Sequence, residues 1–275
     1  MPHTTAAPLE RLRSGDTVHG MWMMSSSADL ARISSSLGYD YVCLDMQHGL
    51  ARAEHIMPLS DAVRAGGDAM VVARVPDNRF TEIGMLADAG VDAIIVPLVS
   101  SAAEARAAAE ALDYPPRGRR SWGPTNALML GHDPAPERAG APLLFVMIEN
   151  TAGLSEVAEI CRVDGVDGVY IGPSDLALSL GSLPGPEEPA TTEAIATILA
   201  TAQEAGVIPG IHCGTGEEAA ARRAQGFRFI TSSSDIGAAR AAYAADLAEA
   251  AGGVAQVPGG AAQVLGGAAQ GGVRY

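Results

Sequence analysis

The chain contains no lysine; all 18 of its basic side chains are arginine. Without an ε-amine no Schiff base can form on the protein, so lysine-dependent aldolase and pyridoxal-phosphate chemistry are excluded. Positive charge is scarce altogether. Thirty-two Asp and Glu give a net charge of −14 and a pI near 4.7, which argue against nucleic acid or an anionic membrane surface as partners. Aromatic residues make up only 4% of the chain. The three cysteines, Cys43, Cys161 and Cys213, lie far apart and lack CxxC spacing, so they read as buried, reduced thiols. No apolar run approaches the roughly 20 residues of a membrane span, and no basic segment leads into an apolar one at the start. The expectation is a soluble, cytoplasmic protein.

What is present is alternation. Strand-like apolar runs cover Val18–Met23, Tyr41–Asp45, Ala69–Val75, Ala93–Val99, Leu143–Glu149, Gly168–Ile171, Val207–His212 and Phe227–Thr231. Helical patterns separate nearly all of them, at Ala28–Leu37, Glu54–Ala65, Arg79–Ala89, Ala102–Leu112, Leu154–Cys161, Thr192–Ala205, Glu217–Gln225 and Ala238–Ala251. Gly38, Gly66, Gly90, Gly206 and Gly226 follow five of these helices, where a left-handed C-cap is wanted. Repeated βα units imply a parallel sheet, and eight of them predict closure into a (β/α)8 (TIM) barrel over residues 1–251. An open doubly wound sheet is the rival, but no glycine-rich phosphate fingerprint follows the first strand. Residues 252–275, rich in Gly, Ala and Gln, read as a disordered tail or an intersubunit arm.

Two connections are long. Pro115–Pro142 carries RGRRSWGP, with Arg117, Arg119, Arg120 and Trp122, and reads as an arm touching a neighbouring subunit. Gly181–Ala190 follows the sixth strand on the presumed active face, as a lid or a solvated loop.

Several runs end in reactive residues. Tyr41–Leu44 runs into Asp45 and then His48, Met70–Ala73 into Arg74, and Leu143–Ile148 into Glu149. Val169–Ile171 leads through Gly172, Pro173 and Ser174 to Asp175. In a parallel barrel these ends converge on the catalytic face. Glu149 and Asp175 offer hard oxygen ligands for Mg²⁺ or Mn²⁺. His48 suits proton transfer near neutrality, with Asp45 placed to orient it or to hydrogen-bond nearby water. Arg74 suits a substrate carboxylate or a developing enolate oxygen, or else a structural ion pair. His212, ending strand seven, is a pocket candidate. Cys213 also borders the active face. His55 and His132 read as structural, and Asp88 alone reads as a solvated helix residue.

The segments YDYVCLDMQHG, MVVARVP, LADAGVDAIIVPLV, YPPRGRRSWGP, LLFVMIEN and VDGVDGVYIGPSDLALSLG together resemble the HpcH/HpaI family of metal-dependent 2-oxo-acid aldolases. The likeness runs in order from about Gly20 to about Asp235 and leaves out the tail. It implies a divalent cation (Mg²⁺, Mn²⁺ or Co²⁺) held by Glu149 and Asp175, with pyruvate chelating through its carboxylate and keto oxygens. By the same resemblance Arg74 stabilises the enolate, His48 is the base with Asp45 as its near neighbour, and Asp88 raises the basicity of that histidine. Gly172, Pro173 and Ser174 fall where backbone meets pyruvate, and Trp22 and His212 line the substrate pocket. The implied reaction is that of a class II aldehyde-lyase of EC 4.1.2 type, cleaving a 4-hydroxy-2-oxo acid to an oxo acid and an aldehyde. The implied assembly is a homohexamer that exchanges its last helix, Ala238–Ala251.

The chain departs from the family pattern at Gln47, often glutamate, at Met147, where a substrate-touching glutamine can stand, and at His212 and Pro124 near the aldehyde pocket. These leave the acceptor aldehyde open. Two other readings stand beside the aldolase: a citramalyl- or malyl-CoA-type lyase using a metal-bound enolate, and a catalytically silent barrel that binds an oxo acid.

Overall fold

The computed structural model describes residues 6–129, 131, 141–184 and 188–252. Eight parallel strands close into a barrel in chain order: β1 (Val18–Met23), β2 (Tyr41–Asp45), β3 (Met70–Arg74), β4 (Ala93–Val96), β5 (Leu143–Ile148), β6 (Gly168–Ile171), β7 (Ile208–His212) and β8 (Phe229–Ser234), which returns to β1. Helix α1 (Ala6–Arg13) precedes the barrel. The crossovers hold α2 (Ala28–Ser36), α3 (Ala53–Gly66), α4 (Phe80–Asp88), α5 (Ala102–Leu112), α6 (Thr125–Met129), α7 (Thr151–Ser155), α8 (Val157–Cys161), α9 (Pro173–Ser179), α10 (Pro189–Ala205) and α11 (Gly216–Gln225), and α12 (Asp235–Ala250) follows β8. Among the described residues no helix is long and apolar enough to cross a membrane.

The strands read as continuous apolar runs because both of their faces are buried. Alternation of side chains splits each run between two cores. Tyr41, Cys43, Met70, Val72, Ile95, Phe145, Met147, Tyr170 and Phe229 fill the barrel's interior. Val42, Leu44, Val71, Ala73, Ile94, Leu144 and Val146 face outward against the helices. The interior is packed solid. The Phe229 ring stacks on Tyr41 at 4.1 Å and on Phe145 at 4.3 Å. Thr231 Oγ1 hydrogen-bonds the hydroxyls of both Tyr41, at 3.0 Å, and Tyr170, at 2.6 Å.

That parity positions the site. Two residues beyond Cys43 on the inner face is Asp45; beyond Val72 is Arg74; beyond Met147 is Glu149; beyond Tyr170 is Gly172. Two such steps carry Val18 to Trp22 and Ile208 to His212. Each inner row therefore ends in a polar group, a large aromatic ring or bare backbone at the barrel's C-terminal mouth.

The opposite end has its own device. Asp40, Asp92 and Asp167 each stand just before β2, β4 and β6, and each accepts a main-chain N–H from the preceding strand, from His19 at 2.8 Å, Val71 at 2.7 Å and Leu144 at 2.7 Å. Each is the third residue of a Gly-x-Asp triplet whose glycine has positive φ (Gly38, Gly90 and Gly165).

Most expected boundaries hold to within two residues; β8 runs three further, to Ser234, and α10 and α12 start three earlier, at Pro189 and Asp235. The helix expected over Leu154–Cys161 is two short helices broken at Glu156, where φ is −102° and ψ is 7°. Strand β4 stops at Val96, ahead of Leu98 in the left-handed region. Gly38, Gly90, Gly206 and Gly226 do take positive φ, but Gly66 is the last residue of α3. A Cβ on Gly66 would lie 2.3 Å from the Arg32 carbonyl oxygen, so close packing of α3 on α2 asks for glycine there. Helices α1, α6 and α9 were not anticipated, being short or lacking an apolar stripe. All three cysteines are free and buried, as expected. The stretch from Gly253 onward and His132 lie outside the described residues.

Candidate active site at the barrel mouth

Asp45 and Arg74 are register partners on β2 and β3. Both are buried, and the guanidinium grips the carboxylate with Nε to Oδ1 at 2.9 Å and Nη2 to Oδ2 at 2.7 Å. Asp45 also accepts from Trp22 Nε1–H at 3.2 Å and from the main-chain N–H groups of Gln47, at 3.0 Å, and His48, at 3.3 Å. Burial works to raise this carboxyl group, but the bonds and charge of Arg74, with those from Trp22 and Gln47, outweigh it and hold it below its ordinary value. Asp45 meets His48 here at the backbone N–H. Its carboxylate fastens Arg74 and caps the loop through the His48 backbone. The Arg74 guanidinium lies 4.8 Å over the Trp22 ring, and its Nη1, which Asp45 leaves free, points at Met147 Sδ 4.0 Å away.

Glu149 follows β5 and is buried. Its Oε1 accepts the Leu98 N–H at 2.7 Å. Its Oε2 lies so close to Gly172 that a Cβ there would sit 2.5 Å away, which only glycine permits. Burial first, and then the charge of Asp175, push the Glu149 carboxyl above its usual range against the pull of Leu98 N–H and Arg74. Asp175 itself is exposed in the first turn of α9, after Pro173 at the helix start. Two carboxylates that repel one another, one of them buried, are a donor set that a hard divalent cation relieves. Among the described residues no group of three or more His, Cys, Asp or Glu gathers, and Glu149 and Asp175 are the carboxylate pair that could hold such an ion.

The rest of the mouth is mixed. His212 meets Trp22 edge-on with ring centroids 4.9 Å apart, and Trp22 stacks on Tyr170 at 5.9 Å. Burial, and then the Arg74 cation, push His212 down to about 4, so it is neutral at ordinary pH. Burial also raises the Cys213 thiol, which removes it as a nucleophile. His48 stands exposed on the β2–α3 loop, and Ser174 is exposed at the start of α9. His55 is structural, as expected, its Nδ1 accepting from Arg52 N–H at 3.0 Å.

Asp88 does not join this group within the chain. It is the last residue of α4, which runs back about 13 Å from the mouth at 1.5 Å per residue. There it pairs with Arg120 Nη2 at 2.5 Å, beside a cavity of about 460 Å³ lined also by Met57, Phe80, Met85 and Asn126. Arg120 in turn covers the Tyr114 ring, which meets Trp122 at 4.9 Å. Arg117 and Arg119 pair with Asp113 and Glu110. Each arginine of RGRRSWGP thus pairs within its own chain, but only Arg120 is buried; Arg117, Arg119, Ser121 and Trp122 stay exposed.

Sequence reasoning missed Leu98. An apolar residue in a loop carries no sign that its backbone, and not its side chain, meets a carboxylate. Met147 was noticed only as a departure, although inner-face parity put it beside Arg74.

Fold and site define a class: a (β/α)8-barrel lyase whose mouth joins a carboxylate pair to a fixed guanidinium. The chain belongs to the HpcH/HpaI aldolase/citrate lyase family, whose profile matches residues 19–242. It is 38% identical over 232 residues to the hydroxypyruvate/pyruvate aldolase of Rhizorhabdus wittichii, covering 83% of this chain and 92% of that one. It is 32% identical to the 4-hydroxy-2-oxovalerate aldolase of Novosphingobium aromaticivorans, over 72% of this chain and 78% of that one. A solved HpcH/HpaI aldolase/citrate lyase family protein from Burkholderia cenocepacia superposes with a TM-score of 0.84 at 28% identity, covering 90% of this chain and 100% of the other.

Proposed function

We propose that this protein is a divalent-metal-dependent aldolase that reversibly cleaves a 4-hydroxy-2-oxo acid to pyruvate, or a close analogue such as hydroxypyruvate, and an aldehyde. The observation that carries the reading is the meeting of Arg74, with Nη1 free of Asp45, and the mutually repelling Glu149 and Asp175 at one barrel mouth. A divalent cation (Mg²⁺, Mn²⁺ or Co²⁺) held by those two carboxylates supplies polarisation of the 2-oxo group when bound. His48, directly or through one water, takes the proton of the C4 hydroxyl. The C3–C4 bond then breaks, its electron pair passing into the oxo-acid fragment as an enolate while the aldehyde departs. Arg74 faces the enolate oxygen as a fixed cation whose cost of ordering is already met by Asp45. Return of a proton to C3 gives the oxo acid. Gly172 and Ser174 offer backbone N–H groups to the oxo acid's carboxylate, Pro173 lies between them without one, and Trp22 and His212 wall the aldehyde side.

The partners are small molecules and further copies of this chain. Helix α12 supports self-assembly: of its side chains only Asp235 is buried, by accepting from Met24 and Ser25 N–H, whereas Ile236, Tyr243 and Leu247 are exposed. Leu30, Ile33 and Leu37 of the α2 segment are exposed too. Exchange of α12 between protomers covers such faces, and the family resemblance supports a hexamer. In that assembly Asp88 meets a His48 only across a subunit boundary, since its own lies at the other end of the barrel. The three free buried thiols suit the cytoplasm.

The test is proton exchange. Purified protein is incubated with pyruvate in D₂O with Mg²⁺ or Mn²⁺, and then with EDTA. Methyl-proton exchange that needs the metal and disappears in Glu149→Gln is expected; its absence across several metals overturns the reading. Light scattering checks the hexamer.

A further inference from the structure

Leu98 is the one non-glycine residue with positive φ, 57°, among the described residues. A branched L side chain in that region crowds its own backbone, where glycine would not. Core packing does not account for it, because Leu98 is 54% exposed. Strain of this kind persists only where the surroundings over-determine it.

The surroundings do so here. Leu98 N–H donates to Glu149 Oε1 at 2.7 Å. Val99 N–H donates to the Met147 carbonyl oxygen at 3.2 Å. Ser100 Oγ donates to the Leu98 carbonyl at 3.2 Å and accepts from Asn150 Nδ2 at 2.9 Å. Gly153 completes the seat, since a Cβ there would come within 2.6 Å of the Val99 carbonyl oxygen. The β4–α5 loop is thus fastened to the end of β5 on both sides of Glu149.

We infer that Leu98 is a positioning residue for Glu149: its left-handed backbone aims one N–H at Oε1 and so presents Oε2 beside Gly172, pre-setting the carboxylate's approach to Asp175. Repulsion between Glu149 and Asp175 would swing a free glutamate side chain away before any cation arrived. The Leu98 N–H opposes that swing, and the Ser100–Asn150 link keeps the N–H in place. The role belongs to the backbone conformation and its N–H, so any residue that readily holds a positive φ, glycine or asparagine above all, fulfils it. The inference rests on the reading of Glu149 and Asp175 as cation ligands.

The experiment measures Mn²⁺ binding to metal-stripped protein by water-proton relaxation, together with the melting temperature of the stripped protein. Leu98→Pro removes the N–H and forbids the positive φ, and Ser100→Ala removes the link. Both are expected to weaken Mn²⁺ binding by about tenfold, in the range of lost outer partners at metal sites. Leu98→Gly and Leu98→Asn, which keep the N–H and accept the left-handed region, are expected to bind Mn²⁺ within about twofold of the unaltered protein. The positioning role is overturned if Ser100→Ala and a folded Leu98→Pro bind Mn²⁺ normally while Glu149→Gln has lost it, or if Leu98→Gly and Leu98→Asn bind as weakly as Ser100→Ala. If Glu149→Gln and the unaltered protein bind Mn²⁺ alike, the ligand assignment itself fails and the positioning role falls with it.

Discussion

Arg74 and Asp45 face each other across β3 and β2 as register partners, joined by two parallel hydrogen bonds of 2.9 and 2.7 Å. Two of the guanidinium's nitrogens are spent on holding its own position, which leaves Nη1 to face a ligand. Lysine cannot do both, because its ammonium is a single point charge. Arg74→Lys is therefore expected to lower kcat/KM for aldol cleavage by on the order of 10²–10³, the scale of a lost oxyanion donor. A variant within a few-fold of the unaltered rate would show that the fork geometry is idle.

The same pair predicts a stability effect. Asp45→Asn keeps the shape but leaves the Arg74 cation buried without its counter-charge, at a cost of about 3–5 kcal/mol in urea unfolding. The pH dependence follows from the depressed carboxyl. Its contribution is present above its unfolded value of about 3.9 and is lost as pH falls through the lower folded value. Asp45→Asn should lack that part of the acid limb, whereas an unchanged acid limb would count against the pairing.

Glu149 gives the opposite sign in metal-free protein. Its folded carboxyl is raised by burial and by Asp175, so its ionisation disfavours the folded state once pH rises through the raised value. Glu149→Gln should leave the metal-free protein at least as stable at pH 7 by calorimetry, and should lack the rise in melting temperature expected of the unaltered protein with Mn²⁺.

His212 titrates near 4 in the fold and near 6.5 unfolded. The unfolded chain binds more protons between those values, so stability from this residue is present above about 6.5 and is lost as pH falls toward 4. His212→Leu should flatten unfolding free energy across that window. It should also change the ranking of aldehyde acceptors without shifting the pH profile of kcat/KM; a shifted profile would make His212 the titrating base.

At the far end of the barrel, Asp92→Ala orphans the Val71 N–H on a central strand. The expected loss is about 1–3 kcal/mol of stability with kcat unchanged. A fall in kcat at full stability would contradict the separation of the two barrel ends.

Much of this was legible in one dimension because a barrel strand is a two-residue repeat. Once Tyr41–Leu44, Met70–Ala73 and Leu143–Ile148 are read as strands, their closing Asp45, Arg74 and Glu149 follow at one face. Helix boundaries were legible where glycine caps end them, as at Gly206 and Gly226. They were not where packing intervenes: Gly66 is glycine for the sake of the Arg32 carbonyl, and the break at Glu156 has no cap residue to announce it. The Gly-x-Asp triplets before β2, β4 and β6 were visible all along as a repeat, but only the ladder shows what they bind.

The order of residues by itself determined the class of chemistry and the architecture. A chain without lysine needs another electrophile, and inner-face parity delivers acids, a guanidinium and an imidazole to the strand ends. Tertiary structure decided the partnerships. It made Asp45 the clamp of Arg74, sent Asp88 to Arg120 at the other end of the barrel, and brought the Leu98 backbone to Glu149. The reason is that period and spacing fix which way a side chain points, whereas its partner depends on which distant segment the closed barrel carries alongside.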